Sequence, residues 1–318
     1  MALGFGYNAW AGMAAEGTYG TPAGTITDFV EINSETMVQA DDVMEGNSVY
    51  RSEKDVDNYK QGRKTVAGNI TMDLRYEGAE KYFEQAMGTV TSAAINGTLA
   101  YTHTYSLADA LLTGFTLEID RDVANYVYEG CKINTMTLSN DNAGILQASF
   151  DLIAEDEGTM SATSPNFSTS NYFSFDEAAL AYAGTAQPIQ NVSLVLNNNL
   201  TTDRFQWGSR LLKEPQRAGR IEVSGEFTVE FDSTENWDDF INAGTGSLSV
   251  TYTGDTISGT SKYGLLVTLP HVRLIGGTPN VSDSGMLTAT VPFTAYADGT
   301  AVTSRLMQIA WTNTQASV

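Results

Sequence analysis

Cysteine occurs once in this 318-residue chain, at Cys131, and histidine twice, at His103 and His271. A single thiol excludes an intrachain disulfide and a cysteine metal cluster, and it reads as a small core residue. Neither histidine has carboxylates at ligand spacing, so zinc chemistry and a histidine-based triad are unsupported. The nucleophile elbow, the P-loop and H-E-x-x-H are also missing. Paired acids such as Glu118 with Asp120, or Asp238 with Asp239, arise by chance among 38 carboxylates and do not make a glycosidase. Asp41-Asp42 and Asp120-Arg121-Asp122 lack calcium-loop spacing and read as solvated turns. The expectation is a protein that is not an enzyme and that needs no cofactor or metal.

Positive charge is scarce. Against 38 Asp and Glu stand 17 Lys and Arg, for a net charge of −21, and residues 1–50 and 151–200 contain no Lys or Arg. That argues against binding nucleic acid through neutralised phosphates. It leaves open a passage for nucleic acid, because an acidic wall repels phosphate and lets DNA slide. Solubility alone is the other reading of the same charge. Long apolar runs are lacking too, and the N-terminus has no basic region before an apolar one. Neither a signal peptide nor a membrane span is expected, so the chain should fold in a reducing cytoplasm.

What the chain does have is alternation. The runs 115–120, 134–139, 148–156, 192–197, 225–231, 247–254 and 288–298 repeat apolar and polar residues with a period of two. That predicts half-buried antiparallel strands, separated by Gly, Asn, Asp, Ser and Thr turns. Two segments have helical spacing. Ala79, Tyr82, Phe83 and Ala86 precede Gly88, and Trp237, Phe240 and Ile241 lie between a capping Thr234 and Gly244. Each helix should cover one face of a sheet.

The two halves are copies. A shift of 157 residues puts Lys60 on Arg217, Arg63 on Arg220, Gly68 on Gly225, Asp73 on Glu230, Phe83 on Phe240 and Ala86 on Ala243 without a gap. Further on, Gly144-Ile145-Leu146 reads like Gly285-Met286-Leu287, with the offset reduced to 141, so the first copy carries a longer excursion over roughly 89–112. The expected organisation is an N-terminal arm (1–24), copy one (25–158), a connector (159–185), copy two (186–300) and a C-terminal strand or tail (301–318). Ten of the 17 basic residues fall in equivalent loops: Arg51, Lys54, Lys60, Arg63 and Lys64 in one, and Arg204, Arg210, Lys213, Arg217 and Arg220 in the other. A basic loop on an acidic molecule suits a directional, head-to-tail contact with another copy of the chain. A duplicated but merely solvated loop is the plainer alternative.

Together these features resemble the tail tube (major tail) proteins of long-tailed bacteriophages. The resemblance rests on Glu16-Gly17-Thr18-Tyr19-Gly20-Thr21-Pro22, on Phe173-Ser174-Phe175-Asp176, on the stretch 192–200 (VSLVLNNNL), and on the order strand, long loop, strand, helix, strands. It implies a mainly β chain of two tandem β-sandwich tube domains, each flanked by one short helix. Sheets of neighbouring subunits would join into an inner β-barrel around an acidic lumen. In such proteins six domains form a ring and rings stack, so a duplicated chain implies trimeric rings with pseudo-sixfold symmetry. The loops 44–64 and 201–220 would be the inter-ring loops. Implied partners are the chain itself, a tape-measure protein and tail terminator or tip proteins, with DNA passing through unbound and no membrane. Pro215 and the fewer acids of the second loop distinguish it from the first. A β-sandwich binding module, such as a surface adhesin or a capsid decoration protein, is the alternative.

Overall fold

The computed structural model describes residues 3–46, 59–161, 163–231, 234–276, 278, 287–297 and 306–318. Of the ten loop cations, Arg51 and Lys54 lie outside the described residues. The first half forms β1 (Trp10–Ala15), β2 (Asp28–Glu31), β3 (Ser34–Glu35), β4 (Val38–Glu45), β5 (Tyr59–Asp73), α1 (Glu80–Met87), β6 (Gly88–Ala94), β7 (Tyr101–Leu107), β8 (Phe115–Asp120), β9 (Asn125–Asp141), β10 (Gln147–Ala154) and β11 (Asp156–Thr159). The second half forms β12 (Ala178–Tyr182), β13 (Thr185–Gln187), β14 (Ile189–Asn197), β15 (Glu222–Glu230), α2 (Glu235–Ile241), β16 (Thr245–Ser258), β17 (Ser261–Leu274), β18 (Thr288–Ala295) and β19 (Gln308–Asn313). The chain is mainly β, as its alternation predicts, and every strand pairing among the described residues is antiparallel.

Two large sheets carry the fold. The first runs β4–β5–β10–β9–β14–β15–β18. β3 lies along β5 beside β4, and Val272–Leu274 of β17 flank β18. The second runs β13–β12–β16–β17–β19–β7–β6. A smaller third sheet, β2–β1–β8–β9–β11, uses the N-terminal half of β9. β9 changes sheets near Gly130, whose φ is +62. A Cβ there would also stand 2.8 Å from the Tyr19 ring, so two constraints favour glycine.

One apolar cluster takes Phe150, Phe227 and Phe293 from the first sheet and Val250, Val267, Ile309 and Trp311 from the second. α1 is set between the sheets. Its Phe83 ring stands edge-on to Trp311 at 5.0 Å and to Phe150 at 5.9 Å. Each such pair adds about 1 kcal/mol beyond area burial. The helix ends at Gly88 with φ +92, as expected. α2 ends differently: Ala243, not Gly244, takes the left-handed conformation, and Thr234 bonds the Asp238 carboxylate rather than a backbone N–H. Three segments are more regular than their sequence suggests. Residues 1–24 include β1, which lies between β2 and β8, residues 159–185 include β12, and the excursion after α1 folds as the β6–β7 hairpin.

Strand β19 joins the halves, pairing with β17 on one side and β7 on the other. A buried polar chain fastens it: Asn313 Nδ2 donates to Glu80 Oε1 at 2.7 Å, and Asn313 Oδ1 meets His103 Nε2 at 2.9 Å. The other His103 nitrogen meets Ser92 Oγ at 2.7 Å, so this histidine is a satisfied core residue. Burial raises the Glu80 carboxyl to about 7. The folded state therefore holds its proton more tightly than the unfolded chain does. The stability that Glu80 contributes is complete below about pH 4.5 and is lost as pH rises through about 7. This group alone should lower the unfolding free energy by about 3 kcal/mol between pH 5 and pH 8. Carbon-detected NMR of the Glu80 carboxyl checks it; a midpoint near the usual glutamate value would remove the effect.

Candidate functional site

The first sheet has one dry face and one wet face. On β5 the even residues Val66, Ile70 and Met72 enter the core, while Thr65, Asn69, Thr71 and Asp73 face out. The same phase puts Ser149 and Asp151 of β10, Thr135, Thr137, Ser139 and Asp141 of β9, and Asn191, Ser193 and Asn197 of β14 on the wet face. Strand β15 adds Glu222, Ser224, Glu226, Thr228 and Glu230. Cross-strand hydrogen bonds knit this surface: Asn69 Nδ2 reaches Ser149 Oγ at 2.8 Å and Asp151 Oδ1 at 2.7 Å, and Thr228 and Thr290 hydroxyls lie 3.1 Å apart. Its charges include Asp73, Asp141, Asp151, Glu222, Glu226 and Glu230, with two cations on the same phase: Arg63 of β5, beyond the end of β10, and Arg273 of β17, opposite Thr294. The surface is hydroxyl- and amide-rich, acidic, and continuous across both copies.

That continuity comes from one seam. β14 pairs with β15 on one side and with β9 of the other copy on the other, from Asn191↔Asp141 to Asn197↔Thr135. The 157-residue shift maps Ser34–Ala40 onto Asn191–Asn197. Among the described residues, those copy-one residues pair only with β5. The glycines common to both copies sit at this place. A Cβ on Gly68 would stand 2.5 Å from Met37 Cα, and one on Gly225 would stand 2.2 Å from the Ser193 carbonyl oxygen. Both positions need glycine so that the neighbouring strand can approach. The outer side of the copy-one edge is partly covered. Arg121 forms a two-point ion pair with Glu35 at 2.8 and 2.9 Å, and its Nη2 donates to the Met37 carbonyl at 2.8 Å. Such capping blunts an open edge. Asp120 and Asp122 accept hydrogen bonds from Asp122 N, Phe5 N and Asn8 Nδ2, which is turn chemistry.

The basic loops leave the sheet at one end, between β4 and β5 and between β14 and β15. The second is bound to the first copy of its own chain. Arg210 donates from Nε to the Gly62 carbonyl at 2.6 Å and from Nη1 to Gln61 Oε1 at 2.9 Å, and its Nη2 lies 3.3 Å from Asp41. Arg217 Nη1 caps the Ala108 and Asp109 carbonyls at 2.6 and 2.7 Å, and burial lowers its pKa. Arg204 donates to the Glu214 carbonyl, and Lys64 pairs with Asp156. Arg63 lies over the Phe205 ring at 4.9 Å. Lys60, Lys213 and Arg220 are exposed. Beneath the loop, Leu200 and Leu212 pack on Ile153, joined by Leu111 and Phe205. The sequence missed Lys132, which is 4% exposed and pairs with Glu214 at 2.6 Å. A lysine in the apolar phase of a strand was the available signal.

Among the described residues no group of three or more His, Cys, Asp or Glu is placed to hold a metal ion. Cys131 is buried, and burial raises its thiol pKa. No helix among the described residues is long and apolar enough to cross a membrane. Residues 6–295 match the family model described as phage tail tube protein. No curated protein matches the chain significantly.

Proposed function

The chain belongs to the phage tail tube protein family, and from that premise we propose that it closes into trimeric rings whose wet sheet face is the wall of a DNA conduit. It is a structural protein of the virion tail that assembles into a tube with copies of itself and associates with other tail proteins. The finer reading is carried by the β9·β14 seam. Inside one chain, this seam already joins two copies of the domain edge to edge. Repeating it between chains would pair the Ser34–Ala40 edge with the far end of copy two of a neighbour, and three chains would supply six copies. Closure removes the open edges that would otherwise template aggregation.

The wet face then becomes the lumen. Its hydroxyls and amides hold water, and Asp73, Asp141, Asp151, Glu222, Glu226 and Glu230 repel phosphate. DNA would pass without specific binding during ejection, and neither catalysis nor a cofactor is needed. A tape-measure protein would occupy the lumen beforehand, and terminator and tip proteins would cap its ends.

Negative-stain electron microscopy of concentrated protein tests this reading. Hollow tubes of stacked rings with three chains per ring are expected. Six chains per ring would overturn the trimer. Compact particles under every condition, including with added tail-tip protein as initiator, would favour a binding module such as an adhesin or decoration protein.

A further inference from the structure

The third sheet of copy one has a counterpart in copy two. The order β2–β1–β8–β9–β11 repeats as β13–β12–β16–β17–β19, antiparallel throughout. The segments that lead into the two sheets match as well. A shift of 168 residues puts Phe5 on Phe173, Tyr7 on Phe175 and Asn8 on Asp176. It also puts Trp10, the first residue of β1, on Ala178, the first of β12. A short 3-10 turn precedes each strand.

The leading phenylalanines have different surroundings. Phe173 reaches back into the preceding copy. Its N–H donates to the Leu74 carbonyl at 3.0 Å, and its carbonyl accepts from Leu146 N at 2.9 Å, so it is wedged between the chain just after β5 and the chain just before β10. Its ring is fully buried and meets Tyr76 edge-on at 4.8 Å. Phe5 is 50% exposed and stacks on Tyr7, which is itself 81% exposed.

Copy two repeats the slot that Phe173 enters. Leu74 N donates to the Leu146 carbonyl at 2.8 Å, and at the equivalent place Phe231 N donates to the Leu287 carbonyl at 2.9 Å. Leu74 and Leu146 are buried, whereas Phe231 and Leu287 are half-buried. The helices repeat the contrast: Phe83 of α1 is fully buried, while Phe240, its counterpart in α2, is half-buried and Ile241 is 57% exposed.

We infer that residues 3–7 are a docking arm, and that Phe5 seats between Phe231 and Leu287 in copy two of a second copy of this chain, its neighbour in the same ring. The duplication names the occupant. The chain already makes this contact once, from the segment ahead of copy two into copy one, and the segment ahead of copy one would make it into the copy two that precedes it in a ring. The contact is heterologous and closes when the ring does. It rests on the tube reading and adds the element that fastens one chain to the next. On seating, Phe5 N exchanges its exposed bond to Asp122 Oδ2 for the Phe231 carbonyl, and the Phe5 carbonyl accepts from Leu287 N. The arm then adds to the slot as an extra strand adds to a sheet edge. Residues 3–9 carry no charge, so the arm brings no repulsion to a molecule of net charge −21.

The experiment compares wild type, Phe5→Ala, Phe5→Leu and Phe173→Ala. Sedimentation and electron microscopy read assembly, and the thermal melt of the monomer reads folding. Phe5→Ala should raise the concentration needed for assembly by about 30-fold, a hot-spot loss at the usual threshold. Phe5→Leu should raise it less, and neither should shift the monomer melt. Phe173→Ala should lower the melt, because its seat lies within the chain. Cross-linking reads the geometry. Gly6 and Thr288 are exposed, a Cβ on Gly6 meets nothing within 4 Å, and the native Cys131 is buried. The assembled double variant Gly6→Cys, Thr288→Cys should therefore be linked chain to chain by a short bismaleimide, and either single variant should not. Assembly of Phe5→Ala at the wild-type concentration, or an assembled double variant without chain-to-chain links, would overturn the arm and leave the tube reading intact. Wild type that never assembles would overturn both.

Discussion

Replacing Gln39 with proline should give a folded monomer that no longer closes into rings. Thr36 N donates to the Asn69 carbonyl, and Val38 stands opposite Ala67, so Thr36, Val38 and Ala40 face β5. By ladder alternation the Gln39 N–H points the other way, to the open side. Proline removes that donor and leaves the β5 ladder intact, which an edge strand tolerates. The duplicate position provides the contrast. Leu196 lies between Met136 and Val223, in ladders on both sides. Leu196→Pro should therefore cost about 3 kcal/mol or more of stability in the monomer itself. Circular dichroism and light scattering separate the two outcomes. Normal rings from the Gln39→Pro variant would show that chains do not join along Ser34–Ala40.

Much of this architecture was legible in the sequence, because strand alternation and duplication are local signals. The period of two located β8, β10, β14, β15 and β18, and helical spacing located α1 and α2. The connection between the copies was not legible. Which strand lies beside β9 depends on pairings far apart in sequence, and no spacing in the chain encodes that Asn191 meets Asp141. β1 was read as part of an arm because it is buried on both faces, and WAGMAA therefore has no alternation. The wet face was visible in retrospect. The polar phase of β5, β9, β10 and β14 is Ser, Thr and Asn more than Lys or Glu, which is unusual for a face needed only for solubility.

The basic loops show where charge arithmetic stops short. Clustered cations pointed to a contact with another copy of the chain, and in the structure several of them make contacts within their own chain. They did not reveal that Arg210, Arg217, Arg204 and Lys64 would find partners in their own chain. Carbonyl groups carry no formal charge, so an inventory of acids overlooks the Gly62, Ala108 and Asp109 acceptors that hold the second loop. Rigid loops present side chains with less entropy left to lose on binding. Stapling therefore makes a better docking element than a free cationic loop would be.

Reversing the charge of the wet face should turn a non-binding tube into one that holds DNA. Glu222, Glu226 and Glu230 lie on one side of β15, four residues apart, and so are spaced by about 13 Å along the strand. Changing all three to lysine leaves Arg63, Arg273 and three lysines against Asp73, Asp141 and Asp151 on this face. Each ring would then carry cationic stripes that displace counterions from DNA. Affinity gained this way falls steeply with salt, by about 0.9 log units per log unit of salt for each phosphate neutralised. In co-sedimentation, wild-type tubes should leave linear DNA in the supernatant at every salt concentration. The triple variant should retain it at low salt and release it as salt rises. With this surface inside the tube, as proposed, retention should require a free DNA end, and bulky blocks on both ends should abolish it. Retention of end-blocked DNA would place these residues on the outer wall. Triple-variant tubes that still release DNA at low salt would show that this face is not the one DNA meets.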